Sequence, residues 1–262
     1  MITMFRAELL KLRRRRVAVA VAVGALAFAA VATTVVFLSA SGTGEAPAGR
    51  GATLASLGQA GGATEAFSLG VSGAGILALV VFIANVASEF SQGTFRTLLM
   101  RQPRRVGLLA GKMAALLVFA AIALAVAELL TVAASVAIAP GQDVSTAAWF
   151  SLDGLGEAAG DYARALFLVT AWATLGMAVA VFVRSIPVAL AIGIAWSGPF
   201  EHLVVDAWGA AARWFPGLLL EALAVGGTTD VSVSRSLVLV ALYAGVAACA
   251  AALVFARRDV TG

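Results

Sequence analysis

The stretch Glu89–Lys112, EFSQGTFRTLLMRQPRRVGLLAGK, decides the reading of this chain. It lies between two long apolar runs and holds five of the 18 basic residues: Arg96, Arg101, Arg104, Arg105 and Lys112. Pro103 falls in its middle, and Gly93-Thr94 marks a turn near its start. A stretch so charged does not lie in hydrocarbon, so it is expected at a membrane surface. Short loops rich in Lys and Arg are retained on the cytoplasmic side, which sets the expected side. Within the stretch, Phe95, Leu98 and Leu99 have the i, i+3, i+4 spacing of one turn of amphipathic helix. A short charged helix at a membrane surface suits docking to a soluble partner; as a plain basic loop it would serve topology alone.

Composition agrees with the membrane reading. The 262 residues are 61% hydrophobic and 12% charged, against about 25% charged in soluble domains. The net charge of +4 does not point to nucleic acid, because the basic residues sit at the ends of apolar runs. Of the basic residues all but Lys11 and Lys112 are Arg, which with the many Ala and Gly points to a GC-rich bacterial source. The lone Cys249, inside an apolar run, reads as a small packing residue.

Outward from the central stretch, six spans are expected in a single transmembrane domain of all-α class over residues 1–262: about 17–38, 67–88, 113–139, 165–183, 187–205 and 236–256. Val17–Leu38 carries no charge, and 22 residues of helix rise about 33 Å, enough for a core of about 30 Å. It is too long for the apolar region of a signal peptide. Before it, Ile2, Phe5, Leu9 and Leu12 form one face of a helix, with Arg6, Glu8, Lys11 and Arg13–Arg16 around them, an amphipathic helix lying on the membrane. Ser39–Ala66 and Pro140–Arg164 read as outer loops. Gly70, Ser72, Gly73 and Gly75 in the second span allow close helix approach, and Asn85 near its inner end needs a polar partner. The fifth span is broken near its outer end by Gly198-Pro199, and Asp206–Gly227, with Trp208 and Trp214, reads as short helices dipping into the outer leaflet. With both termini inside, 14 Lys/Arg fall on the cytoplasmic side; Arg50, Arg164, Arg213 and Arg235 fall outside.

Glu128, near the middle of the third span, is the acid most costly to bury, by about 2.5–3.5 kcal/mol if ionised. It faces either a cavity, as a substrate or proton-coupling group, or a neighbouring helix to which it hydrogen-bonds while neutral. No Cys/His cluster has metal-ligand spacing, and no G-x-x-x-x-G-K-[ST] phosphate loop occurs, so the chain is not expected to hydrolyse ATP, to hold a metal or to carry a cofactor of its own. One nucleophile and base are available: Gly70-Val71-Ser72-Gly73 is similar to the G-x-S-G of rhomboid intramembrane proteases, and His202 is the single histidine. That alternative, a Ser72–His202 protease, places the pair on the second and fifth spans, whereas rhomboids use the fourth and sixth.

Glu89, Gly93, Thr94 and Arg96, followed by Pro103, Arg105 and Gly111-Lys112, resemble the first cytoplasmic loop of ABC transporter permeases of the type-2 exporter class. The amphipathic N-terminal helix, the six spans and the short outer helices between the last two spans resemble the rest of that fold. The resemblance implies a transport subunit, not an enzyme, in the bacterial plasma membrane. It implies two copies of an ABC ATPase subunit that carry the ATP and Mg, a second identical or related permease, and surrounding lipid as partners. Coupling to the ATPase would fall to Glu89, Gly93, Thr94, Phe95, Arg96, Arg101, Arg104, Arg105 and Lys112. The substrate pathway would run along the second and fifth spans with Asn85 at its inner mouth, and Glu128 as an added candidate. Export is the implied direction.

Overall fold

The computed structural model describes residues 2–40, 52–101 and 105–257, with the backbone alone for Ser72, Arg96 and Arg101. Helix α1 covers Ile2–Leu12, α2 Arg15–Ser39, the short α3 Leu54–Leu57, and α4 Glu65–Ser91. Then follow α5 (Thr94–Arg101), α6 (Arg105–Ile138), α7 (Leu152–Val183) and α8 (Ile186–Ala195). A π-helical turn over Trp196–Phe200 joins α8 to α9 (Glu201–Ala207); α10 (Pro216–Ala224) and α11 (Val233–Arg257) complete the order. No strand occurs among the described residues. Six helical stretches are long and apolar enough to cross a membrane, as a multi-pass membrane protein requires.

Two helices are longer than the sequence predicts. Pro140–Arg164 was expected to be a loop, but only a 3-10 turn at Ala139–Gln142 and a short connection precede α7, which starts at Leu152. The reason is a helix start: the Ser151 hydroxyl accepts from the Gly154 N–H at 3.1 Å, and Asp153 sits in the first turn, where the helix dipole favours an acid. Likewise α6 begins at Arg105, not near residue 113, because nothing between Arg105 and Lys112 breaks a helix strongly. Pro199 does not end the fifth span. The wider π turn absorbs the missing N–H, and helix continues to Ala207.

The chain forms two compact units. The first comprises Met1–Leu10, Ser72–Val118 and Phe167–Gly262. Its helices approach closely at glycines: a Cβ on Gly75 would fall 2.5 Å from the Trp172 ring, and one on Gly176 would meet the Leu79 carbonyl at 2.8 Å. Small residues at such crossings are the packing chemistry of apolar helices. A core of Met4, Val86, Ala87, Phe95, Leu108, Leu109, Val181 and Phe255 gathers the ends of α4, α7 and α11 and the starts of α1, α5 and α6. Cys249, expected to pack, is exposed on α11.

The second unit comprises Lys11–Val71 and Phe119–Leu166. Val36, Phe37, Leu57, Ala63 and Trp149 form its core, and the Trp149 indole donates to the Leu57 carbonyl at 2.8 Å. Gly70 lies against Phe28, as the small-residue stripe predicts, whereas a Cβ on Gly73 would meet open space. Beside that core the Thr64 hydroxyl donates to Asp161 at 2.7 Å and Arg164 pairs with Asp161 at 3.1 Å. Burial pushes the neighbouring Glu65 carboxyl above its ordinary range; Asp161 adds to the push and Arg164 opposes it.

Candidate functional site

The expected docking stretch folds into a helix clamped on one face. α4 ends at Ser91, and the chain reverses through Gly93 at φ +67°, a left-handed conformation that glycine adopts without a Cβ clash. α5 then starts at Thr94. Phe95 is fully buried, 4.6 Å from the Phe90 ring and 5.2 Å from Phe255, centroid to centroid. Leu98 and Leu99 pack against the same core, so the i, i+3, i+4 face read in the sequence is the buried face. Thr97 and Met100 lie on the other side, with Met100 76% exposed. The side chains of Arg96 and Arg101 lie outside the described residues, as do Pro103, Arg104, Arg50 and Arg258.

Two of the expected coupling residues are interior. The Lys112 ammonium donates to Glu89 at 2.7 Å and lies 3.6 Å from Glu8; each of the three side chains is less than a tenth exposed. Charges out of water persist only when paired, so this cluster is the electrostatic anchor of the turn between α4 and α6. Glu8 is a correction to the sequence reading, which set it among the solvated charges of α1. The buried residues of that helix are Met4 and Glu8, while Ile2, assigned to its apolar face, is 70% exposed. A signal for Glu8 was available: Lys112 is one of two lysines in an arginine-dominated chain, and Glu8 is the one acid within the basic N-terminal segment.

Arg105, at the start of α6, donates to the Ala256 carbonyl at 3.5 Å, where the last turn of α11 leaves its carbonyls without helical partners. Arg184, in a left-handed conformation at φ +59°, closes α7 and sets its guanidinium 5.3 Å from the centroid of Phe90. The site therefore gathers Glu8, Glu89, Lys112, Arg105 and Arg184 around one aromatic cluster. The short helix is thereby packed directly onto the ends of the longer ones.

Asn85 lies one turn before Glu89 on α4, and its Oδ1 is buried without a hydrogen-bond partner among the described residues. Glu128 belongs to the second unit, half-buried on α6, and is not part of this cluster. The Ser72 side chain lies outside the described residues. His202 is turned to its own segment, with Nδ1 2.8 Å from the Gly198 carbonyl and Nε2 3.4 Å from Glu221. No group of three His, Cys, Asp or Glu placed to hold a metal occurs among the described residues.

A further polar anchor was missed in the sequence. The buried Glu201 carboxylate accepts from the N–H groups of Gly217 at 3.2 Å and Leu218 at 2.9 Å, in the first turn of α10. It thus serves donors that the helix itself cannot satisfy, at the positive end of the helix dipole.

The family model described as "Protein of unknown function (DUF2705)" matches residues 48–261. The chain belongs to the DUF2705 family. The match takes in both anchors of this DUF2705 chain, the Glu89–Lys112 pair and the Glu201 contact with α10, and leaves Glu8 outside. No curated protein matches the chain.

Proposed function

We propose that this chain is the membrane-spanning permease subunit of an ATP-driven exporter, coupled to a separate ATPase through α5. The observation that carries the reading is the two-sided character of α5. Phe95 fixes one face in a core shared with the ends of the longer helices, and Thr97 and Met100 stay open on the other. A push on such a helix moves the helices beneath it, because interiors are close-packed and transmit strain. The same reading has both termini and α5 on the cytoplasmic side of a bacterial plasma membrane. α1 then lies as an amphipathic helix at that surface, and α9 and α10 act as short outer helices. A second permease copy completes the pathway, and two ATPase subunits hold the ATP and Mg. The orphaned Asn85 Oδ1 supports a place for that residue beside the pathway, where a substrate or second copy supplies a donor. Glu128 remains the second pathway candidate.

In this arrangement Glu89, Lys112, Phe95 and Arg105 hold the coupling element in position, and the exposed face of α5, with Thr97 and Met100, meets the ATPase; Arg96, Arg101 and Arg104 are proposed partners of the ATPase from the sequence alone. The test is to tag the chain, extract it from its own membrane in mild detergent and identify what accompanies it. A phosphate-loop ATPase recovered at near one-to-one stoichiometry supports the reading. A chain that runs alone in every mild detergent sinks it.

A further inference from the structure

The first unit contains a second feature, remote in sequence from α5 and independent of any ATPase. A groove of about 760 Å³ is walled by Trp172, Phe182, Ile192, Trp196, Tyr243 and Val246, with Trp214 and Phe215 also on its lining. Trp214 is shared with an adjoining recess of about 400 Å³ that also takes in Ser234, Arg235 and Val238. The Arg235 guanidinium lies 5.0 Å from the centroid of the Trp214 ring and donates to the Arg213 carbonyl at 3.4 Å. It has no carboxylate partner among the described residues, and its Nε is buried without an acceptor. The nearby acid Asp230 is taken by Arg213 at 3.0 Å. A concave apolar surface thus ends at a cation that no carboxylate holds among the described residues.

Position along α11 gives the scale. Arg235 stands in the first turn of the helix and Ala247, on the groove wall, twelve residues further, about 18 Å by helix rise. That is close to one leaflet of a hydrocarbon core about 30 Å thick. With α11 crossing the bilayer, as its length and apolarity allow, the cation falls at interface depth and the apolar lining runs from it towards the midplane. We propose that this groove binds one anionic phospholipid, its phosphate on Arg235 and an acyl chain along Trp214, Tyr243 and Val246. Charge-assisted hydrogen bonding to phosphate suits a guanidinium whose charge no carboxylate neutralises. The aromatic lining suits the chain.

The test uses the full chain in detergent micelles with dioleoyl phosphatidylglycerol or dioleoyl phosphatidylcholine, which share tails and differ in head-group charge. Native mass spectrometry reads the lipid retained. The expected result is one phosphatidylglycerol held about tenfold more tightly than phosphatidylcholine. Arg235→Gln brings the two close to equal, and Arg235→Lys keeps a preference. Val246→Trp, at a residue 60% exposed and so tolerant of substitution, fills the groove and lowers retention of both lipids. Equal retention by the unaltered chain, or a preference that survives Arg235→Gln, overturns the proposal. So does displacement of the lipid by inorganic phosphate alone, which would mean a head-group site without a tail site. A Val246→Trp chain that changes oligomeric state and keeps its lipid would make the groove a contact between copies and likewise overturn it.

Discussion

Lys112 and Glu89, 23 positions apart, meet at 2.7 Å with both side chains almost wholly removed from solvent. Glu8 shares the same ammonium at 3.6 Å. Removing one partner of a buried pair costs about 3–5 kcal/mol, whereas replacing both with apolar groups is often near neutral. Lys112→Met is therefore expected to lower thermal stability in detergent sharply. The double variant Lys112→Met with Glu89→Leu should recover part of the loss, and Glu8 explains why recovery stays incomplete. Equal melting temperatures for the single variant and the unaltered chain would refute the anchor.

The two faces of α5 predict opposite phenotypes. Phe95→Ala removes a fully buried ring from between Phe90 and Phe255, a change that costs about 3–5 kcal/mol in cores of this kind. Met100→Glu alters a side chain 76% exposed and should leave folding within about 0.5 kcal/mol. If α5 docks an ATPase, Met100→Glu combined with Thr97→Glu abolishes co-purification while the melting curve stays unchanged. Charge reversal at Arg105 is a poorer probe, since that side chain also serves the Ala256 carbonyl.

Glu201 and Gly217 form a lock that tolerates little change. A Cβ on Gly217 would fall 2.5 Å from Glu201 Oε2, so Gly217→Ala must displace the carboxylate from the α10 N–H groups. Glu201→Leu leaves those donors unserved, at about 1–3 kcal/mol for a buried group. Both variants are expected to raise hydrogen exchange in α10 and leave the helices around Phe95 protected. Uniform loss of protection across the chain would contradict a local role.

Glu65 gives a pH prediction. It precedes the apolar stretch that starts at Gly73, and its carboxyl is raised from an ordinary value of 4.5, chiefly by burial. A raised folded-state value means the folded chain holds the proton more tightly, so the contribution is full below pH 4.5 and is lost as pH rises through the folded value. Glu65→Gln should thus raise the melting temperature at pH 7 to 8 and change it little at pH 4. A variant equally or less stable at neutral pH would reverse the sign and refute the assignment.

Much of the fold was legible because apolar length is an integral signal. Runs such as Val17–Leu38 need no partner to be recognised, and Phe95, Leu98 and Leu99 declared their face by spacing alone. The start of α7 was missed because a single hydroxyl, Ser151, sets it within a stretch whose acids suggested a loop. Glu8 and Glu201 were missed for a different reason. Each is charged, and charge reads as solvent exposure unless the opposing group is known. Their partners, Lys112 and the N–H groups of Gly217 and Leu218, are distant in sequence.

The π turn at Trp196–Phe200 stores a spare residue inside the helical stretch. A π turn carries an extra residue relative to α-helix. Loss of one residue here would let the helix relax to ordinary winding and largely keep the face beyond it. Glu201 would then stay on α10, and His202 beside Glu221. In a regular α-helix the same deletion rotates everything beyond it by about 100°, so this turn is where the segment absorbs a change of length.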